Sequence, residues 1–175
     1  MTAFGPQLEA FTELRPGIRR LVAPNPSFMT GPGTNTYLLG ESRIAVIDPG
    51  PAIESHVENI IELAGAPVTW ILVTHTHPDH SPGAHLLAQI TGAELIGRPP
   101  PEGPQQDATF SPDYFLGDAE RLETSEFVIE GVHTPGHASN HDCYLHTASN
   151  WRFTGDHVID GSTVVINPPD GNMKQ

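Results

Sequence analysis

The apolar positions change period several times along the chain, and each change marks an element. Residues 17–23 form a short apolar-rich segment that runs into the breaker cluster Pro24-Asn25-Pro26. Asn35 to Gly40 and Arg43 to Ile47 then read as two strands of a hairpin joined at Glu41-Ser42, with Asp48-Pro49-Gly50 supplying turn chemistry at the far end. Val57, Ile60, Ile61 and Ala64 fall at i, i+3, i+4 and i+7, which predicts an amphipathic helix closed by Gly65. Val68 to Val73 is apolar almost throughout, without alternation, as a strand covered on both faces requires. Ser81-Pro82 reads as an N-cap followed by proline at the first helical position, and Leu86, Leu87 and Ile90 carry a second helix as far as Gly92. A strand over Ala93 to Ile96 completes a βαβ unit, so the sheet must be partly parallel. Further strands are predicted at Phe127 to Val132, Cys143 to Leu145 and Arg152 to Thr154. Residues 98–112, rich in proline, read as a loop that is either an insert over a site or a slack connector.

Composition narrows what these elements can do. A chain of 175 residues is one domain's worth, and residues 1–175 are taken as a single domain. Eight Lys and Arg against 21 Asp and Glu give a net charge of −13, and the longest basic feature is Arg19-Arg20, so the field repels polyanions and offers no patch for gripping phosphates. Cys143 stands alone, which excludes an internal disulfide; with no triad beside it in its strand, it reads as a structural thiol. Apolar runs such as Trp70 to Val73 are too short to span a bilayer, and residues 1–25 lack the order of a signal peptide, so a cytoplasmic protein without membrane contact is expected. Ten histidines, more than all Lys and Arg together, direct attention to metal.

His75, His77, Asp79 and His80 lie within six residues where a buried strand spills into a loop ahead of a helix, the position at which α/β sheets place their chemistry. Alternate residues of an extended segment point the same way, so His75 and His77 can aim at one point. The turn through Pro78 swings Asp79 and His80 toward a second. Zinc accepts imidazole nitrogen and carboxylate oxygen, but one loop cannot fill two coordination shells. His137 and Asp156, each at a strand end, are the candidates to complete them. His56, His85 and His146 read as structural. His133, His141 and His157 flank proposed ligands and are candidates to orient them, as is Asp48 at its strand end.

His75-Thr76-His77-Pro78-Asp79-His80, Thr134-Pro135-Gly136-His137 and Thr154-Gly155-Asp156 resemble the motifs of the metallo-β-lactamase superfamily. Met29 to Tyr37, Ser81-Pro82-Gly83 and Asn167-Pro168-Pro169-Asp170-Gly171 are similar to its branch of β-lactamase-like hydrolases and endoribonucleases. The resemblance implies an α/β protein with an αββα sandwich, its second half incomplete because the closing strands and helices, and the last histidine of the second metal site, are absent from the chain. It implies up to two zinc ions, with His75, His77 and His137 at the first, Asp79, His80 and Asp156 at the second, Asp156 bridging, and the second site the weaker. It implies a metal-bound hydroxide as nucleophile with Asp79 as the catalytic residue that orients it and hands a proton to the leaving group. A redox di-iron centre is disfavoured, since the related flavodiiron pattern has Glu where His77 stands. The expected activity is hydrolysis of an ester, thioester, lactone, amide or phosphodiester in a small-molecule substrate. A metal-dependent endoribonuclease acting on RNA and a catalytically silent metal-binding module remain as alternatives, and an uncovered sheet edge makes a homodimer a further expectation.

Overall fold

A computed structural model of the chain describes residues 11–175. In chain order the elements are β1 Thr12–Arg15, β2 Ile18–Val22, β3 Asn35–Leu39, β4 Ile44–Ile47, α1 Glu54–Ala64, β5 Val68–Leu72, α2 Pro82–Thr91, β6 Glu94–Ile96, β7 Arg121–Glu123, β8 Val128–His133, β9 Asp142–His146 and β10 Trp151–Phe153. A tight helical turn at Gly155–His157 follows. Six strands form one sheet in the order β1-β2-β3-β4-β5-β6, and four form a second in the order β10-β9-β8-β7. The β3–β4 hairpin is antiparallel, whereas β4–β5 and β5–β6 are parallel because helices carry the chain back across the face. This is a mixed α/β sandwich in which both α1 and α2 pack on the six-stranded sheet.

Two apolar layers result. Val57 and Ile60 of α1 and Ala84 and Leu87 of α2 pack on Leu38, Val46 and Ile71. On the opposite face of the same sheet, Leu39, Ile47 and Leu72 meet Ile129, Tyr144 and Phe153 of the second sheet. This explains the nearly continuous apolar run of β5, which has a layer on either side. Each fully buried side chain of this size contributes about 1.5–3 kcal/mol. Tyr144 adds a polar tie: its buried hydroxyl donates to the Val73 carbonyl at 2.9 Å, fastening the second sheet to the last residue before the histidine loop. Removing such a partner from a buried carbonyl costs about 1–3 kcal/mol.

Two strands escape the sequence pattern, β1 and β7. Both lie at sheet edges, where exposed Thr12, Glu13, Arg15, Arg121 and Glu123 surround only Leu14 and Leu122 as inward anchors. Ser81 also departs from expectation. It precedes α2 but makes no side-chain cap; its hydroxyl donates to Asp107 Oδ2 at 2.7 Å instead. Gly65 and Gly92 do end their helices in the left-handed conformation. Among the described residues no helix is long and apolar enough to cross a membrane.

Candidate metal centre

The strands β4, β5, β8 and β10 deliver their C-terminal ends to one edge of the sandwich, and the six candidate ligands converge there. His75, His77, Asp79 and His80 sit on the loop between β5 and α2, His137 on the loop after β8, and Asp156 in the turn after β10. His77 Nδ1 lies 3.1 Å from His75 Nε2 and 2.9 Å from His137 Nε2. Ligand atoms of these three residues fall within 4.8 Å of one another, as do those of His75, His80 and Asp156.

The tautomers follow from the partners on the far side of each ring. His137 Nδ1 faces the carbonyl oxygen of Val165 at 2.5 Å, so Nδ1 carries the proton and Nε2 is a bare lone pair. Thr74 spends its hydroxyl proton on Asp48 Oδ2 at 2.7 Å, so its oxygen accepts from His75 Nδ1 at 3.1 Å, which leaves His75 Nε2 bare as well. His77 Nδ1 therefore faces two bare nitrogens and has at most one proton to offer. Burial and the neighbouring imidazoles push His75 well below the usual histidine pKa and His77 down to about 4, so protonation does not relieve the conflict. A tetrahedral zinc with nitrogen ligands at about 2.0–2.1 Å sets those nitrogens about 3.3 Å apart. The observed spacing is close to that, and the donor set suits the ion.

The second cluster has a different character. His80 is buried; its Nδ1 lies 3.0 Å from Asp48 Oδ2, and its Nε2 lies 3.4 Å from Asp79 Oδ2 and 3.3 Å from Asp156 Oδ1. Burial opposes its cation, but the Asp48 charge, hydrogen bonds to Asp156 and Asp48 and the charge of Asp79 prevail, and its pKa rises well above the ordinary value. Burial likewise works against the Asp156 carboxylate, yet hydrogen bonding and charge from His80 bring its pKa down to about 2. Asp156 reaches both clusters, with Oδ2 3.5 Å from His137 Nε2. Asp79 stands apart from the compact trio of His75, His80 and Asp156; its Oδ2 also meets the Thr34 hydroxyl at 3.5 Å.

The scaffold around these ligands is specific. Asp48 adopts φ 49, uncommon for a residue with a side chain, and from there accepts Thr74 N at 2.8 Å as well as the Thr74 hydroxyl. Gly155 at φ 46 brings the Asp156 turn in close; a Cβ there would lie 2.5 Å from Thr74 Oγ1 and 2.8 Å from His141 Nε2. His141 is buried and stacks on His75 with ring centroids 5.0 Å apart. His133 pairs with Asp142 at 2.9 Å, and exposed His157 lies near His141, with centroids 6.0 Å apart. His56 and His85 are helical and His146 ends β9. Burial pushes the Cys143 thiol pKa up, away from a reactive thiolate.

The proline-rich loop is tied to the histidine loop through its middle, at Gln106 and Asp107. Asp107 N donates to the Thr76 carbonyl at 2.7 Å, and Gln106 meets the Thr76 hydroxyl at 2.5 Å. Sequence reasoning missed Thr74, Gln106 and Val165. Thr74 was legible in principle as the hydroxyl beside the first histidine, whereas Val165 acts through its backbone and has no residue-type signal.

The sequence profile of the metallo-beta-lactamase superfamily matches residues 29–175. The chain is 31% identical over 167 residues to lactamase-like protein aptB of Emericella nidulans, covering 92% of this chain and 52% of that protein. It is 32% identical over 167 residues to a protein of Aspergillus chevalieri named atrochrysone carboxyl ACP thioesterase, covering 91% and 52%. The chain thus spans about half the length of these curated relatives. Among solved structures, a beta-lactamase domain protein from Burkholderia ambifaria superposes with a TM-score of 0.73 at 23% identity, covering 93% of this chain and 62% of that one.

Proposed function

The chain belongs to the metallo-β-lactamase superfamily, and we propose that it is a metal-dependent hydrolase of ester or thioester bonds with zinc at the histidine cluster. The observation that carries the reading is the convergence of His75 Nε2, His77 Nδ1 and His137 Nε2 at 2.9–3.1 Å, with two of the three nitrogens held bare by their far-side partners. Without a cation that arrangement sets lone pairs against one another. His75, His77 and His137 would hold a first ion, and His80, Asp79 and Asp156 a second; Asp156 places one oxygen toward each cluster.

When bound, zinc lowers the pKa of water from 15.7 to about 7 and polarises the substrate carbonyl. The protein's own groups do the rest. Val165 and Thr74 fix which nitrogen His137 and His75 present, and Asp48 aims His80 by its Nδ1. Asp79 orients the attacking water through a carboxylate oxygen, takes its proton, and delivers that proton to the departing alkoxide or thiolate. The thioester class is favoured by relatives named as thioesterases, at 28–32% identity. The net charge of −13 weighs against RNA as substrate.

Metal content together with turnover of 4-nitrophenyl esters and S-acyl-N-acetylcysteamine thioesters tests the reading. Zinc-loaded protein is expected to hydrolyse at least one class. Metal uptake without turnover of either would make the chain a silent binding module and end the hydrolase assignment.

A further inference from the structure

Four side chains and one backbone amide form a hydrogen-bonded ring that joins the two loops of the histidine trio. Asn140 Nδ2 donates to Thr76 Oγ1 at 2.7 Å, and Thr76 Oγ1 donates to Gln106 Oε1 at 2.5 Å. Gln106 Nε2 donates to Asp170 Oδ2 at 3.0 Å, and Asp170 Oδ1 accepts Ser139 N at 3.2 Å, the neighbour of Asn140. Thr76 lies between His75 and His77, while Ser139 and Asn140 follow His137. The ring therefore spans the gap across which His77 Nδ1 and His137 Nε2 stand 2.9 Å apart. Thr76 and Asn140 are buried, so water does not readily substitute for their partners.

Every donor along the run from Asn140 points the same way, toward the carboxylate. Thr76 accepts and donates through its one hydroxyl oxygen, whereas Gln106 needs two different atoms for this, and its amide supplies them with oxygen toward Thr76 and nitrogen toward Asp170. The backbone repeats the link: Asp107 N holds the Thr76 carbonyl and Asn172 N holds the Gly136 carbonyl, each at 2.7 Å. The proline-rich loop and the Pro168-Pro169-Asp170-Gly171 turn thus meet over the seam between the two loops.

We propose that Gln106 and Asp170 are positioning residues that set the spacing of the His75/His77 loop against the His137 loop, and so the tightness of the first metal site. This rests on the metal-centre reading above. Gln106→Glu sets a carboxylate against Asp170, and Asp170→Asn sets an amide nitrogen against that of Gln106; each alone breaks the ring at one joint. The double variant Gln106→Glu with Asp170→Asn restores it with the amide and the carboxylate exchanged, because the asparagine oxygen still accepts Ser139 N and its nitrogen donates to the introduced glutamate.

The test is zinc competition against a chromophoric chelator, with the visible absorption of the cobalt-loaded protein as a geometric readout. Wild type is expected to bind, each single variant to bind the first ion about 10–100-fold more weakly with an altered cobalt spectrum, and the double variant to recover both. A single variant that binds as tightly as wild type, or a double variant no tighter than the singles, overturns the role of the ring. A wild-type chain that takes up no metal overturns the metal-centre reading itself. A residue that served only general stability would shift the melting of metal-free protein and leave the cobalt spectrum unmoved.

Discussion

The two ends of the sandwich treat their polar groups in opposite ways. At the end where β4, β8 and β10 begin, polar groups are paired with little conflict. The Glu126 carboxylate accepts the amides of Glu41, Ser42 and Arg43 and the Ser42 hydroxyl, and Arg19 donates to the carbonyls of Gly40, Leu63 and Ala64. At the other end three imidazoles crowd their nitrogens together, Asp48 is held at positive φ, and among the described residues three of the four buried side-chain atoms without a hydrogen-bond partner fall on consecutive residues, Asn140, His141 and Asp142. The hydrophobic layers run through both ends, so packing alone does not explain the contrast. One end closes a turn; the other gathers a donor set that could hold a cation.

The contrast breaks most visibly if metal leaves the stability unchanged. With zinc about a hundredfold above its dissociation constant, binding adds about 2.7 kcal/mol, which in a chain of this size raises the melting temperature by about 5–10 °C. Calorimetry before and after chelation reads this directly, and identical melting curves would mean that the histidine end is satisfied without an ion. Next in size, His77→Ala should lower hydrolysis by about a hundredfold or more, since it removes a ligand rather than a group supporting one. His85→Ala, at a residue whose ring meets Gln89 on the exposed face of α2, should leave rates unchanged. Equal losses in the two variants would break the link between the cluster and turnover.

How much of this contrast could be read beforehand differs by end and by residue. The convergence of the candidate ligands was legible because metal chemistry needs particular residue types: His75, His77, Asp79, His80, His137 and Asp156 all reach one edge of the sandwich. Helix α1 was legible from its periodicity and β5 from its nearly continuous apolar run, since Val57 to Ala64 and Val68 to Val73 face apolar layers. Edge strands β1 and β7 were not, because one inward leucine among exposed polar residues makes no pattern. Nor was the far-end clamp, where Glu126 stands 85 residues from the Glu41 amide it binds. The closure over the metal loop was hidden too: Val165 contributes a carbonyl, and Gln106 and Asp170 are distant in sequence from Thr76.

Within the metal end the two clusters can be separated by Asp48→Asn. Asparagine tolerates positive φ, so the change removes charge and one acceptor while leaving the backbone at ease. His80 then loses the carboxylate 3.0 Å from its Nδ1, the contact that aims its Nε2 at Asp79 and Asp156. The second equivalent of zinc should bind about tenfold more weakly, and the first should weaken less, because of its three ligands only His75 depends on Asp48, through the Thr74 hydroxyl, while His137 takes its orientation from Val165. Stepwise titration followed by calorimetry distinguishes the two equivalents. An equal loss at both would show that the clusters behave as one unit.

The smallest effect belongs to the far end and is the control for all the others. Hydrogen bonds from the Ser42 hydroxyl and the Glu41 amide hold the Glu126 pKa at about 2, below the ordinary 4.5, although the side chain is exposed. A depressed carboxylate pKa means that folding favours the ionised form, so its contribution is complete above the ordinary value and disappears as pH falls from about 4.5 to about 2. Exposure to solvent screens that contribution and keeps it small. Glu126→Gln should therefore lower the melting temperature slightly at neutral pH. The difference from wild type should shrink on acidification through that window, while zinc affinity and hydrolysis at neutral pH stay as they were. A variant that lost metal at neutral pH would join the two ends energetically and remove the division between a satisfied end and an ion-requiring one.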